Sequence, residues 1–264
     1  MTVPSIHMCV GTWSQRTVRM LRVGVLLAGV GCGGGDVGAI DGGADGGIAD
    51  GAVDARMADA GPPDAGMPDA PVEPVFDGTS APVPDGVRTQ MTGVSWRSGC
   101  PVGLDELALL DLPHWGFDGE VHRGEMVVAA ASADHVLEAF RDMFDARFPI
   151  EKIRLVDEYG ADDDLSMEDN NTSAFNCRRV TGGTSYSQHS YGNAIDINPV
   201  QNPYVRGTTV LPPEGRDYLD RTDVRQGMIV DPGPALDAFR EIGWGWGGEW
   251  DTLKDYQHFS DNGR

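Results

Sequence analysis

Positive charge is scarce in this chain: 20 Lys and Arg stand against 41 Asp and Glu, a formal net charge of −21. That balance excludes nucleic acid as a partner, because neutralising phosphates requires clustered Lys and Arg. Apolar runs are short as well, and the stretch Val23 to Val30 is too brief to cross a bilayer as a helix. Cysteine occurs four times and histidine six times in 264 residues. A core of that size needs no staples, so these few residues invite a chemical explanation.

Composition divides the chain. Arg16, Arg19 and Arg22 precede the run Val23 to Val30, and Gly29 and Gly31 stand just before Cys32. This resembles a bacterial secretory signal ending in a lipoprotein cysteine, with Gly29 where such signals more often carry Leu. Residues 1–32 are therefore expected to export the chain to the cell envelope, either lipid-anchored at Cys32 or, as an ordinary cleaved signal, periplasmic or secreted. From Gly33 the chain is Gly, Ala, Asp and Pro, with Asp36, Asp41, Asp45, Asp50, Asp54, Asp59, Asp64 and Asp69 recurring every four or five residues. A segment with so little to bury, and with like charges along it, predicts a disordered tether over residues 33–90. Its drifting spacing lacks the glycine pattern of a calcium solenoid.

A single domain is expected over residues 91–264. Val136, Leu137, Phe140, Met143, Phe144 and Phe148 predict a helix over Ser132 to Phe148, stopped by Pro149. "IEKIRLVDEYG" reads as a strand, and Pro234 to Ile242 as a second helix closed by Gly243. Between them lies a stretch dense in Gly, Asn and Pro that suits short strands and a long excursion. Helices and strands without regular alternation indicate an α+β domain.

Within that excursion, "SQHSYGNAIDIN" places His189 and Asp196 seven positions apart around Gly192. An odd offset on one continuous strand would point them to opposite faces. With a turn at Gly192, "SQH" ends one segment and "AIDIN" returns as a strand, so that both side chains can converge. Near the C-terminus "KDYQHFS" adds Asp255 and His258. Two imidazoles and one carboxylate form a catalytic type of zinc ligand set with an open fourth position. The remaining carboxylate would serve as a base.

These two motifs, S-x-H-x-x-G-x-A-x-D and acid-x-x-H, resemble those of the zinc D-Ala-D-Ala carboxypeptidases and L-Ala-D-Glu endopeptidases, a family that includes vancomycin-resistance D,D-peptidases and phage endolysins. The resemblance spans roughly Trp96 to Ser260 and takes in "NTSAFNCR", "NPYV" and "GWGWGGEW". It implies a hedgehog/DD-peptidase-like α+β fold with a small mixed or antiparallel sheet and flanking helices. One zinc ion is implied, on His189, Asp196 and His258, with Asp255 as general base where the family often has Glu. Arg178 would stabilise the scissile carbonyl and Ser187 would contact substrate. The implied function is zinc-dependent cleavage of peptidoglycan stem peptides by a monomer, either as a carboxypeptidase or as an endopeptidase. A non-catalytic zinc-containing cell-wall binding module is the alternative on the same scaffold, although a binder has no need of Asp255.

Several residues carry competing readings. Arg179 competes with Arg178, and Ser187 could simply satisfy a turn. Trp244, Trp246 and Trp250 could pave a substrate groove or fill the core. Asp162, Asp163, Asp164, Glu168 and Asp169 read as a solvated loop or, less simply, a calcium site. His114, His122 and His135 lack partners at a recognisable spacing. Export would favour a disulfide between Cys100 and Cys177 beside Arg178; a nucleophilic Cys177 lacks a nearby His.

Overall fold

A computed structural model describes residues 73–180 and 183–264. The signal, Cys32 and most of the acidic tether lie outside the described residues. Order begins earlier than the composition predicts, since β1 (Thr79–Pro82) and α1 (Asp85–Met91) both fall in the expected tether. The reason is burial: Val83 is 2% exposed and Met91 fully buried, so this short stretch does have apolar groups to hide.

The first sheet joins β1 to a long hairpin, β2 (Leu107–Trp115) and β3 (Val121–Ala129), all antiparallel. Alternation along these strands sends Ala108, Leu110, Leu112, Met126 and Val128 into the main core. Leu107 and Val127 point the other way, into a smaller cluster with Val83, Met91, Phe175 and Cys177. Both faces of the hairpin are therefore covered at its Leu107/Ala129 end, while Val121, His122, Arg123 and Glu125 are exposed.

Over the main core lies α2 (Ala133–Asp145), which buries Val136, Ala139, Phe140, Met143 and Phe144 and ends where Arg147 takes a positive φ of 53° before Pro149. The predicted helix thus stops three residues short of Phe148. The predicted strand over 150–160 is a correction: only β4 (Lys152–Ile153) is extended, pairing in parallel with β5 (Asn171–Thr172), and Val156–Tyr159 is a 3-10 turn. The acidic run is not a loop either. Asp162 caps α3 (Asp163–Glu168) by accepting from the amides of Asp164 and Leu165, the usual use of Asp at a helix start.

The remaining strands are short. β6 (Ala194–Asp196) is in one sheet, β7 (Tyr204–Arg206) and β8 (Thr209–Leu211) in another. After α4 (Pro234–Glu241), which matches the predicted second helix to within a residue, come β9 (Gly245–Trp246), β10 (Lys254–Asp255) and β11 (His258–Ser260). The strand orders are β6-β11-β9 and β10-β7-β8. The result is a mixed α+β domain with small sheets and flanking helices.

One aromatic stack ties the helices to the site. Phe140 of α2 meets Phe239 of α4 edge-on at 6.5 Å, and Phe239 stacks on Phe259 of β11 at 4.1 Å. Phe259 is fully buried, which contributes roughly 2–3 kcal/mol through its area alone. Because strand side chains alternate, its neighbour His258 faces the opposite side of β11.

Candidate active site

Asp196 and His258 are directly opposite each other across the antiparallel pair β6–β11. His189 reaches them from a 3-10 turn, Gln188–Tyr191, which Gly192 closes in the left-handed region at φ 72°. A Cβ at Gly192 would lie 2.4 Å from the Ala129 amide nitrogen, so both the conformation and the close approach to β3 require glycine. The turn expected at Gly192 is the device that brings His189 back over β6. All three side chains are buried, at 3%, 6% and 6% exposure for His189, Asp196 and His258. One ligand-type atom from each lies within 4.8 Å of the others.

Backbone carbonyls orient both rings. His189 Nδ1 is 2.6 Å from the Ala174 carbonyl, and His258 Nε2 is 3.3 Å from the Arg264 carbonyl. With protons on those outer nitrogens, His189 Nε2 and His258 Nδ1 present lone pairs to Asp196, at 3.1 and 3.0 Å from its two oxygens. His189 Nε2 is close to Asp196 Oδ2 yet has no hydrogen bond, and it is buried. Two imidazole nitrogens meeting one carboxylate form a donor set that a cation can take over once the facing nitrogens give up their protons, and carbonyl-tethered imidazoles are the customary second layer of such sites. Burial by itself would raise the Asp196 carboxyl, but His189 and His258 hold it far below the ordinary carboxylate range. Burial opposes charge on His258 too, and the contacts with Asp196 more than offset it, so that ring is raised.

A cavity of about 760 Å³ opens beside the cluster and is lined by Arg178, Ser187, Trp250, Asp255 and the three cluster residues. Asp255 sits on β10, opposite Tyr204 of β7, so the acid-x-x-H motif spans two strands and the bend between them. A Cβ at Gly247 would come within 2.8 Å of the Asp255 Cβ; glycine at that point of "GWGWGGEW" lets β10 pack close. Asp255 Oδ1 is buried without a partner among the described residues. Burial and the neighbouring Asp196 carboxylate push Asp255 up to about 7, against the pull of His258, His189 and Arg178.

Arg178 lines the cavity, whereas Arg179 turns outward and stacks on Tyr186 at 4.0 Å. The Arg178 backbone is clamped by Ser190: its amide donates to Ser190 Oγ at 2.9 Å, and that hydroxyl donates to its carbonyl at 2.7 Å. The preceding residue is tied down as well, by a disulfide between Cys100 and Cys177. Ser187 both caps its turn, accepting from the His189 amide at a long 3.4 Å, and lines the cavity. The tryptophans divide: Trp244 and Trp246 belong to the core, and Trp250 lines the cavity with its ring 5.4 Å from His258.

Two cavity residues escaped the sequence reading. Asp163, taken there as part of a solvated run, pairs with Arg178 Nη2 at 2.8 Å. Gln257 is 2% exposed, and its Oε1 has no partner among the described residues. Nothing in the local pattern marks Asp163, although Gln257 could be suspected from its place beside a ligand histidine. The remaining acidic residues of the run are spread out, with Asp169 paired to Lys152 and Tyr159. Among the described residues only His189, Asp196 and His258 group as metal donors. His114 is buried, His122 pairs with Asp118, and His135 is exposed.

Residues 181–261 match the family model described as D-alanyl-D-alanine carboxypeptidase. No curated protein and no solved structure matches the chain significantly. The matched segment contains His189, Asp196, Asp255 and His258 and begins just after Arg178. A converging, carbonyl-tethered His/Asp/His cluster able to hold a metal ion thus lies inside the one segment of the chain that is similar to the D-alanyl-D-alanine carboxypeptidase family.

Proposed function

We propose that this chain is a zinc-dependent peptidase of the hedgehog/DD-peptidase fold that hydrolyses the peptide stems of peptidoglycan. The observation that carries the reading is the meeting, in one cavity, of the His189/Asp196/His258 cluster with the half-buried Asp255, whose buried Oδ1 has no partner among the described residues, and with the guanidinium of Arg178. The donor set of two imidazoles and one carboxylate suits zinc. When bound, zinc would supply Lewis acidity to polarise a carbonyl and to lower the pKa of water to about 7.

The protein's own groups account for the rest. Asp255 Oδ1 takes a proton from the attacking water and delivers it to the leaving amine, which needs a carboxyl whose affinity for protons is higher than usual. Arg178 presents donors to the carbonyl oxygen as it gains charge, in a site where such a contact is worth a few kcal/mol to the barrier. Its Nε is buried and has no partner among the described residues, a donor left over for that use. Trp250 and Ser187 border the same space and would contact the peptide. A non-catalytic wall-binding module would have no use for Asp255. The acidic N-terminal segment would tether the domain to the cell envelope after export through residues 1–32.

Digestion of purified peptidoglycan with the zinc-loaded protein, read by mass spectrometry, tests the proposal. Free D-Ala identifies a carboxypeptidase and severed stems identify an endopeptidase. Stoichiometric zinc with neither product establishes the binding module.

A further inference from the structure

Arg178 is held by more than its backbone. Its Nη2 lies 2.8 Å from Asp163 Oδ2, and both side chains are about three-quarters covered, at 24% and 28% exposure. Asp163 comes from the first turn of α3, an element separate from the Ser190 clamp and the disulfide. Arg178 is thus held at its backbone and at one guanidinium nitrogen, and its buried Nε has no partner among the described residues. A planar fork held at one nitrogen has its remaining donors aimed by geometry rather than by chance. The acidic neighbours Asp162 and Asp164 do not share this place, Asp162 being the helix cap.

We infer that Asp163 is the positioning residue of the site, fixing the Arg178 guanidinium so that its free donors meet the scissile carbonyl. The inference rests on the peptidase reading above for its kinetic consequence but not for its structural one. Asp163 moves no proton and contacts no substrate; removing it frees Arg178 to swing within the cavity. Misplacing a positioned group by about 1 Å can cost up to about 10²-fold in rate.

The test combines a double-mutant cycle with a chemical probe. In the zinc-loaded full chain, Asp163→Asn should lower kcat on a stem peptide by about 10-fold to 10²-fold and leave KM within about twofold. Zinc content and the thermal midpoint are measured on the same samples. Asp163→Glu should restore part of the rate, and Asp163→Asn should cost nothing further in an Arg178→Ala background. Equal losses in both backgrounds, or full activity of Asp163→Asn, would overturn the inference. Independently of turnover, phenylglyoxal should modify Arg178 faster in folded Asp163→Asn than in the parent, as mapped by peptide mass spectrometry. An unchanged rate of modification overturns the inference even if the parent hydrolyses nothing, whereas a parent without hydrolysis but with protected Arg178 removes only the peptidase reading.

Discussion

Two histidine pairs occupy similar places in this molecule and differ in almost everything that matters. His114 and His122 stand opposite each other across β2–β3, with ring centroids 6.0 Å apart. His189 and His258 are 5.2 Å apart at the β6–β11 pair. The first pair has no carboxylate between its rings: His122 turns to exposed Asp118, and His114 is buried with a long 3.4 Å contact to the Leu112 carbonyl. Burial pulls His114 down to about 4, with the Leu112 carbonyl working against it. The second pair shares Asp196, and each ring has its outer nitrogen against a backbone carbonyl. Nearness of two imidazoles can therefore come from strand pairing alone, as it does for His114 and His122. A metal site needs the shared anion and the fixed tautomers as well.

The largest effect should come from breaking the second pair. His258→Ala removes a donor and the anchor of β11 to the cluster, so zinc and peptide hydrolysis should both fall to background; metal analysis together with a peptide assay checks this, and retained stoichiometric zinc would remove His258 from the ligand set. Asp255→Asn should lose about 10²–10⁴-fold in kcat with zinc and fold intact. The two variants are three residues apart and should fail differently.

The first pair should answer to pH rather than to metal. His114 has a folded value near 4 against 6.5 for the unfolded chain. Between those values the unfolded state binds the extra proton, so stability rises with pH. The neutral ring's full contribution is present above about pH 6.5 and is progressively lost as pH falls to 4, a difference of roughly 3 kcal/mol. Urea unfolding of the parent and of His114→Gln at both pH values checks it, and the variant should show the smaller decline. His122→Ala, at an exposed position, should change stability by no more than about 0.5 kcal/mol and leave zinc stoichiometry untouched. A loss of metal in that variant would erase the contrast between the pairs.

Parts of this architecture were legible beforehand for definite reasons. α2 and α4 carry a one-sided apolar stripe and proline or glycine at their ends, so their positions follow from the pattern. The β2–β3 hairpin escaped because β2 is covered on both faces: "LALLDLPHW" lacks a two-residue alternation, and Pro113 argues against a strand. The strand expected over 150–160 failed because its apolar residues Ile150, Ile153, Leu155 and Val156 are buried equally well by a two-residue strand followed by a 3-10 turn. The ordered β1 and α1 were hidden in a Pro- and Asp-rich stretch whose few apolar residues find their partners only in the folded domain.

By itself the sequence determined the donor types, His189, Asp196, Asp255 and His258, and the glycine that lets the chain turn between the first two. Those are local matters of side-chain chemistry and backbone freedom, and they can be read one motif at a time. Only the tertiary structure decided that Asp196 faces His258, that desolvation and the nearby Asp196 carboxylate push Asp255 up to about 7, and that Asp163 grips Arg178. Each of these depends on which surfaces pack together, and for His258 these include the stack of its neighbour Phe259 on Phe239. Burial and long-range register are sums over many distant contacts, and no short stretch of residues contains them.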